Sequence, residues 1–183
     1  LILGSETAST VSSRGVYQLP AIPDNTDHIT NRDHPNGNSK TNQCSGYDLQ
    51  YCPWSNVPDE DFRNMDDYPW TIGQFVWTGF DYLGEPSPYD TDAWPNHSSM
   101  FGIIDLASIP KDRYYLYRSE WNKTHPTLWA LPHWTWPGRE GKVTPVFVYT
   151  SYPSAELFVN GKSQGRLSKK TAAEAKTVEE RYR

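Results

Sequence analysis

Short apolar runs separated by polar segments predict alternating strands and helices in the first part of the chain. Residues 1–5 (LILGS) form an apolar run typical of a parallel strand that is covered on both faces. Residues 71–77 (TIGQFVW) are uncharged and rich in β-branched and aromatic side chains, which predicts a second strand. Between them, the acidic residues 59–61 follow Pro58, which predicts a short helix that ends before Pro69.

A second helix is predicted over residues 110–122, because Pro110 is followed by large side chains at helical spacing. Its stripe consists of Tyr114, Tyr117, Arg118 and Trp121, widened by Tyr115 and Leu116. Packing of this stripe into the core is the favoured interpretation.

The pattern then changes to strands without intervening helices. Residues 143–149 and 155–159 are predicted strands, and Asn160-Gly161 directly after the second is a strong hairpin signal. The chain is therefore predicted to contain an α/β domain over residues 1–130 and a β-sandwich-like domain over residues 131–183.

Two segments, residues 20–58 and 82–100, carry no period and several prolines, and structureless loops of such length usually serve function. Cys44 and Cys52 lie in and near the end of the first loop, with seven residues between them. This spacing does not suit a structural zinc site, so no metal is predicted. A local disulfide in an oxidising compartment and two separate thiols both remain open.

Composition narrows the classes of partner. The net charge of −5 disfavours nucleic acid, because binding to phosphates needs a basic face. No apolar run approaches the length of about 18–20 residues that a membrane-spanning helix needs. The chain contains 8 Trp, 12 Tyr and 6 Phe, an unusually high aromatic share, and all eight tryptophans lie between Trp54 and Trp136.

Candidate chemistry lies where the two predicted strands end. Glu6 follows the first strand and Trp77 closes the second. In parallel α/β barrels the carboxyl ends of the strands build the active site, where a carboxylate can act in catalysis. A tryptophan there can form the floor of a sugar site. The alternatives are that Glu6 caps the following turn and that Trp77 belongs to the core.

Two further carboxylates, Asp81 and Glu85, follow Trp77 closely. Because glycoside hydrolysis uses two carboxyl groups across the scissile bond, Glu6 with Asp81 or Glu85 is a conceivable pair. Loop carboxylates of this kind more often bind sugar hydroxyls or the loop backbone. No serine–histidine–aspartate set, phosphate loop or HExxH motif is present in the sequence.

Several stretches of the sequence, taken in their order along the chain, resemble the motifs of a known enzyme family. They are ILGSETAS at residues 2–9, GQFVWTGFDYLGEP at 73–86, FGIID at 101–105 and PKDRYYLY at 110–117. Together they resemble the bacterial β-galactosidase type of glycoside hydrolase family 2. LPHWTWPG at 131–138 and ELFVNGKS at 156–163 resemble the start of the immunoglobulin-like domain that follows the barrel in this family.

The resemblance implies a fold and a set of roles. The fold is the last two strand–helix units of a (β/α)₈ TIM barrel, followed by the start of an all-β immunoglobulin-like sandwich. Glu6 falls on the position of the nucleophile of a retaining mechanism, and Trp77 matches the active-site tryptophan of the family. Asp81 and Glu85 remain predicted contacts of an oligosaccharide or glycoside substrate. No cofactor is implied. The acid/base glutamate of the family lies upstream of Leu1, so the chain alone is expected to be inactive and Glu85 is not assigned that role.

The resemblance also bears on the sugar. Glucuronidases of the family carry an Asn-x-Lys motif that would fall at Ser99-Met100-Phe101, where this chain has neither residue and Phe101 would offer an apolar face. A neutral sugar, with galactose first, is therefore predicted. The alternatives are a non-catalytic carbohydrate-binding module that uses Trp54, Trp94 and Trp134, and a scaffold whose parent has lost activity.

Overall fold

The computed structural model describes residues 1–21, 43–49, 51, 54–84 and 98–183, together with the backbone of 37–38. Its strands are β1 (Ile2–Thr7), β2 (Gly37–Asn38), β3 (Gln43–Cys44), β4 (Thr71–Val76), β5 (Leu128–Leu131), β6 (Phe147–Thr150), β7 (Ser154–Val159) and β8 (Lys162–Ser168). Its helices are α1 (Pro58–Asp67) and α2 (Asp112–Trp121), and a 3₁₀ turn covers Glu179–Arg181. The strands form four two-stranded sheets within the described residues.

The strand–helix–strand order at the start of the chain produces a parallel pair. β1 and β4 are parallel, with α1 between them in sequence, and Thr7 lies opposite Val76. The parallel strand predicted over residues 1–5 is confirmed, but it continues two residues further. The ladder extends because the Trp77 amide donates a hydrogen bond to the Thr7 carbonyl, N to O 3.0 Å. Glu6 is therefore the penultimate residue of β1, and the prediction that it lies past the end of the strand is wrong.

The two predicted helices are present, but the buried face of α2 differs from the expected stripe. Its buried side chains include Arg113, Leu116 and Tyr117, whereas Trp121 is 48% exposed. The predicted core packing of the stripe is thus found at Leu116 and Tyr117, whereas Trp121 contacts the Tyr117 ring but stays half exposed. The physical reason is that Arg113 is buried with an acidic partner, Asp48, which brings a different face of the helix inward.

The main core joins parts of the chain that are far apart in sequence. It contains Tyr47, Leu49, Phe62, Leu116, Tyr117, Leu131, Tyr149 and Tyr182. These side chains come from the 43–49 segment, both helices, β5, β6 and the C-terminal turn. The predicted domain boundary between residues 130 and 131 falls inside β5, which pairs with β6. The division into two domains stays a prediction.

The hairpin predicted at Asn160-Gly161 is confirmed. β7 and β8 are antiparallel, and the two turn residues have positive φ angles of 49° and 78°. A two-residue turn with both residues in this region matches the right-handed twist of the flanking strands. Asparagine and glycine tolerate these angles better than other residues, which explains why the dipeptide specifies the turn.

The β1–β4 sheet exposes large apolar side chains. Ile2, Leu3, Ile72 and Phe75 are each more than half exposed. Parallel sheets are normally covered on both faces. Within the described residues the expected double coverage of β1 is not found, and the helix that packs closely on this sheet is α1, against β4.

Candidate active site

Glu6 and Trp77 lie at the carboxyl ends of two adjacent parallel strands. The backbone ladder fixes their relative height, since Thr7 pairs with Val76 and its carbonyl accepts the Trp77 amide. The Thr7 hydroxyl adds a side-chain link by donating to Oε1 of Gln74, at 2.8 Å. The structure thus places the backbones of Glu6 and Trp77 at the same end of the two-stranded sheet.

Both side chains are accessible in the described chain. Glu6 is exposed, and Trp77 is 40% exposed. The Trp77 ring meets Tyr82 edge to face, with ring centroids 6.0 Å apart and planes at 79°. This contact supports one edge of the indole and leaves part of the ring open to a ligand.

The segment that follows Glu6 is held by buried groups from three other segments. The Ala8 amide faces the Asp61 carboxylate and lowers the pKa of that group, and the Thr10 carbonyl accepts Nη1 of Arg113 at 2.8 Å. The Ser12 amide donates to the Met100 carbonyl at 3.0 Å. The backbone directly after the candidate carboxylate is therefore anchored to α1, α2 and the loop before residue 101.

Asp61 is a buried acid that the sequence patterns did not single out. Its residue is 9% exposed, and Oδ2 has no hydrogen-bond partner in the structure. Loss of hydration raises the pKa of Asp61 to about 6, Glu60 and Asp59 add to the rise, and hydrogen bonds from the Asn56 side chain and the Ala8 amide oppose it. Acidic residues in the first turn of a helix normally lie at the surface, where they interact favourably with the helix dipole. The sequence pattern therefore did not indicate that Asp61 is buried.

Asp81, predicted to bind substrate, is bound inside the protein. Its Oδ2 lies 2.8 Å from Nζ of Lys111, and its Oδ1 accepts the Gly102 amide at 2.7 Å. Its side chain is only 8% exposed. The geometry thus favours the backbone-anchoring alternative over contact with a sugar hydroxyl.

Lys111 completes this buried pair and was also missed by sequence reasoning. Its side chain is 2% exposed. Burial lowers the pKa of Lys111 and raises the pKa of Asp81, because lost hydration opposes charge on both groups while their attraction favours it. One signal was available, since a lysine directly before the first turn of a helix is disfavoured by the helix dipole and needs another reason to be there.

Other predicted residues have mixed outcomes. Phe101 is 4% exposed and packs with Val11 and Cys44, so the expectation that it offers a face to the sugar is wrong. It is buried because its segment lies beside the loop after β1. Glu85, Trp94 and Cys52 lie outside the described residues, and the Cys44–Cys52 pairing stays a prediction.

The described residues also bear on two other classes of function, namely metal binding and insertion into a membrane. Across residues 1–21, 43–49, 51, 54–84 and 98–183, no group of three or more His, Cys, Asp or Glu side chains could hold a metal ion. In the same part of the chain, neither helix has the length and apolar character that a membrane span requires.

Comparison with known proteins finds glycosidases among the relatives of this chain. Residues 141–183 match a family described as "Domain of unknown function (DUF4982)". Over 162 residues, 88% of this chain, the sequence is 43% identical to beta-galactosidase BoGH2A of Bacteroides ovatus, of which it covers 18%. Along most of its length the chain is therefore similar to a member of glycoside hydrolase family 2. The family resemblance of the sequence motifs is thereby confirmed.

Two further family comparisons extend the match. The chain is 45% identical over 103 residues to a putative beta-glucuronidase of Formosa agariphila. The matched residues make up 56% of this chain and 10% of that protein. The crystal structure of a beta-glycosidase from Bacteroides vulgatus matches with a TM-score of 0.70 at 32% identity, over 91% of this chain and 22% of that one. The chain thus spans less than a fifth of the length of these two family 2 relatives by sequence.

Proposed function

We propose that the chain is the part of a retaining β-glycosidase that supplies the nucleophile, Glu6. The observation that carries this proposal is the position of an exposed carboxylate beside a half-open tryptophan at the carboxyl ends of two parallel strands. This edge is where barrel enzymes place their catalytic groups. The names of the family 2 relatives, a β-galactosidase and a putative β-glucuronidase, support the reaction class.

The proposed fold of the intact protein is a TIM barrel in which β1–α1 and β4–α2 are the last two strand–helix units. The apolar side chains exposed on β1 and β4 support it, because the neighbouring strands and helices of a barrel would cover them. Residues 131–183 would begin an immunoglobulin-like sandwich.

In the proposed mechanism Glu6 attacks the anomeric carbon of a β-glycoside while an acid from elsewhere in the intact protein protonates the leaving oxygen. The glycosidic bond breaks, a glycosyl ester forms on Glu6, and water then cleaves that ester with retention. Trp77 would stack on the sugar ring. Glu85 stays a proposed substrate contact, and no cofactor takes part in the proposed reaction.

The first experiment removes the nucleophile in the full-length protein. Glu6→Gly should lower turnover of an activated aryl β-glycoside by at least about 10³-fold, because the covalent route is lost. Added azide should restore cleavage and give the α-glycosyl azide, since the small anion enters the space that the carboxylate vacates. Wild-type turnover in the variant, or rescue with a β-glycosyl azide, would contradict the proposal.

The second prediction concerns the sugar, for which we propose a neutral glycoside with galactose first. Residues 99–101 contain no lysine, and Ser99 and Phe101 are buried, so this segment offers no cation to a uronic acid carboxylate. A charge left unpaired in a closed site is costly to bind. Matched aryl β-galactoside and β-glucuronide should therefore differ at least about tenfold in kcat/KM, in favour of the galactoside. Equal turnover or a preference for the glucuronide would contradict this assignment.

A non-catalytic carbohydrate-binding surface is the second candidate function. Trp54 is 48% exposed and Trp134 is 63% exposed, so both rings are open to a ligand in the described chain. The Glu6→Gly experiment separates the two candidates, because a binding module would bind sugar equally well in both proteins and cleave it in neither.

A further inference from the structure

One buried ammonium group lies where three backbone segments near the site meet. Nζ of Lys111 donates to the Ser12 carbonyl at 2.7 Å, to Oδ1 of Asp81 at 2.9 Å and to the Met100 carbonyl at 3.3 Å. The partners are two backbone carbonyls and one carboxylate, and the Lys111 side chain is almost fully buried. A lysine ammonium has three donors, and each is used here.

The three segments are the ones that carry or support the candidate site. Ser12 belongs to the segment that follows Glu6, and Asp81 follows Trp77 by four residues. Residues 99–104 lie alongside the second of these segments, where the Ile103 amide donates to the Thr78 carbonyl and the Asp81 amide donates to the Ile104 carbonyl, at 3.0 and 2.9 Å. The ammonium therefore links the loop behind the nucleophile to the loop behind the sugar floor.

We propose that Lys111 is a positioning residue that fixes Glu6 and Trp77 relative to each other by binding the loops that follow them. This inference rests on the proposed glycosidase function. Lys111 acts through Ser12 and Asp81 and does not itself touch the substrate. A displacement of about 1 Å between reacting groups can cost about a hundredfold in rate, so a link of this kind matters for turnover.

The experiment replaces the pair with neutral side chains of similar size in the full-length protein. Lys111→Met with Asp81→Asn leaves no unpaired buried charge, which protects the fold. The new amide can still accept from Gly102, but the thioether cannot donate to the Ser12 and Met100 carbonyls. We expect kcat to fall about 10- to 100-fold with KM changed less than about threefold, because orientation of the reacting groups is lost.

A readout that needs no activity accompanies the kinetics. Amide hydrogen exchange should become at least about tenfold faster in peptides that cover residues 8–14 and 99–104, because the link that orders both segments is gone. Wild-type kcat, or unchanged exchange in these peptides, would each overturn the proposal.

A matched control is the double change Arg183→Met with Asp59→Asn. This ion pair is equally buried, and Arg183 contacts the carbonyls of Tyr47 and Asp48 rather than either site loop. The control should leave kcat and exchange in both peptides within about twofold of wild type, even where its melting temperature falls. Failure of the glycosidase proposal is recognised separately, by absent wild-type turnover or absent azide rescue, and the exchange data then still decide whether Lys111 orders the loops.

Discussion

Buried charged residues hold together the segments around the candidate site. Arg113 binds Asp48 through two nitrogens, at 2.7 and 2.5 Å, and a third nitrogen donates to the Thr10 carbonyl. Both side chains of this pair are fully buried. A planar guanidinium suits two-point binding of a carboxylate, and each buried charge must be paired because an unpaired one is costly.

At the same scale, Asp61 should make stability depend on pH. Its folded-state pKa of about 6 lies above the ordinary value of 3.8, so the folded protein holds this proton more tightly than the unfolded chain. The stabilisation that the protonated Asp61 side chain provides is complete at pH values below its ordinary pKa of 3.8, and it is lost as the pH rises to about 6. Asp61→Asn, which cannot ionise, should therefore gain up to about 3 kcal/mol relative to wild type between pH 4 and 6. Melting temperatures of both proteins across this range measure the difference.

The control is an acid on the same helix whose pKa shifts the other way. Hydrogen bonding to Arg181 lowers the pKa of Asp67, which lies on the surface. Its stabilisation is present above the ordinary value and is lost as pH falls through the lowered pKa. Between pH 4 and 6 the stability difference between Asp67→Asn and wild type should therefore stay nearly constant, and it should shrink only below the ordinary pKa of 3.8. Parallel pH slopes for the two variants would rule out the role given to Asp61.

At the scale of elements, the sequence predicted the helices and turns whose ends are marked by neighbouring residues. Pro58 with three acidic residues marks the start of α1, Pro69 marks its end, and Asn160-Gly161 marks the β7–β8 turn. Each signal acts through the backbone of its own neighbours, so one sequence suffices to detect it.

Elements that depend on a distant partner were predicted less well. The strand predicted over residues 143–149 begins only at Phe147, because β5 offers four residues for pairing and Pro145 has no amide to donate. The stripe on α2 was misjudged because charged side chains are normally counted as surface, and Arg113 finds its buried partner 65 positions away.

In the candidate site, too, the residues marked by local sequence patterns were predicted and those that depend on distant partners were not. Glu6 and Trp77 could be predicted because each stands at the end of its own apolar run, and parallel pairing brings such ends together. The unfavourable position of Lys111 before a helix could mark it as unusual, but the roles of Lys111 and Asp61 could not be predicted. Those roles depend on contacts with loops whose paths the sequence pattern does not give. Asp81 was found as a residue, but its lysine partner, 30 positions away, determines what it binds.

At the scale of the whole molecule, the C-terminal segment is tied to the first helix. Arg183 pairs with Asp59, Arg181 pairs with Asp67, and the Tyr182 hydroxyl donates to Asp66 at 2.9 Å. These contacts join residues more than 110 positions apart, and Tyr182 also enters the main core. The segment matched by the DUF4982 family therefore packs directly against the strand–helix unit that carries Glu6.

The isolated 183-residue chain should be marginally stable and catalytically inactive. Phe75 is 64% exposed and Ile72 is 57% exposed, and within the described residues their sheet has two parallel strands, with an apolar surface and two open edges. The purified chain should therefore bind a hydrophobic dye such as ANS, associate at micromolar concentration and melt without a sharp transition. It should cleave no aryl β-glycoside, because the proposed reaction needs a second carboxyl group across the scissile bond. The full-length protein, in which a barrel would cover this sheet, is the control and should bind little dye. A sharp melt combined with turnover by the 183 residues alone would show that β1 and β4 need no further strands.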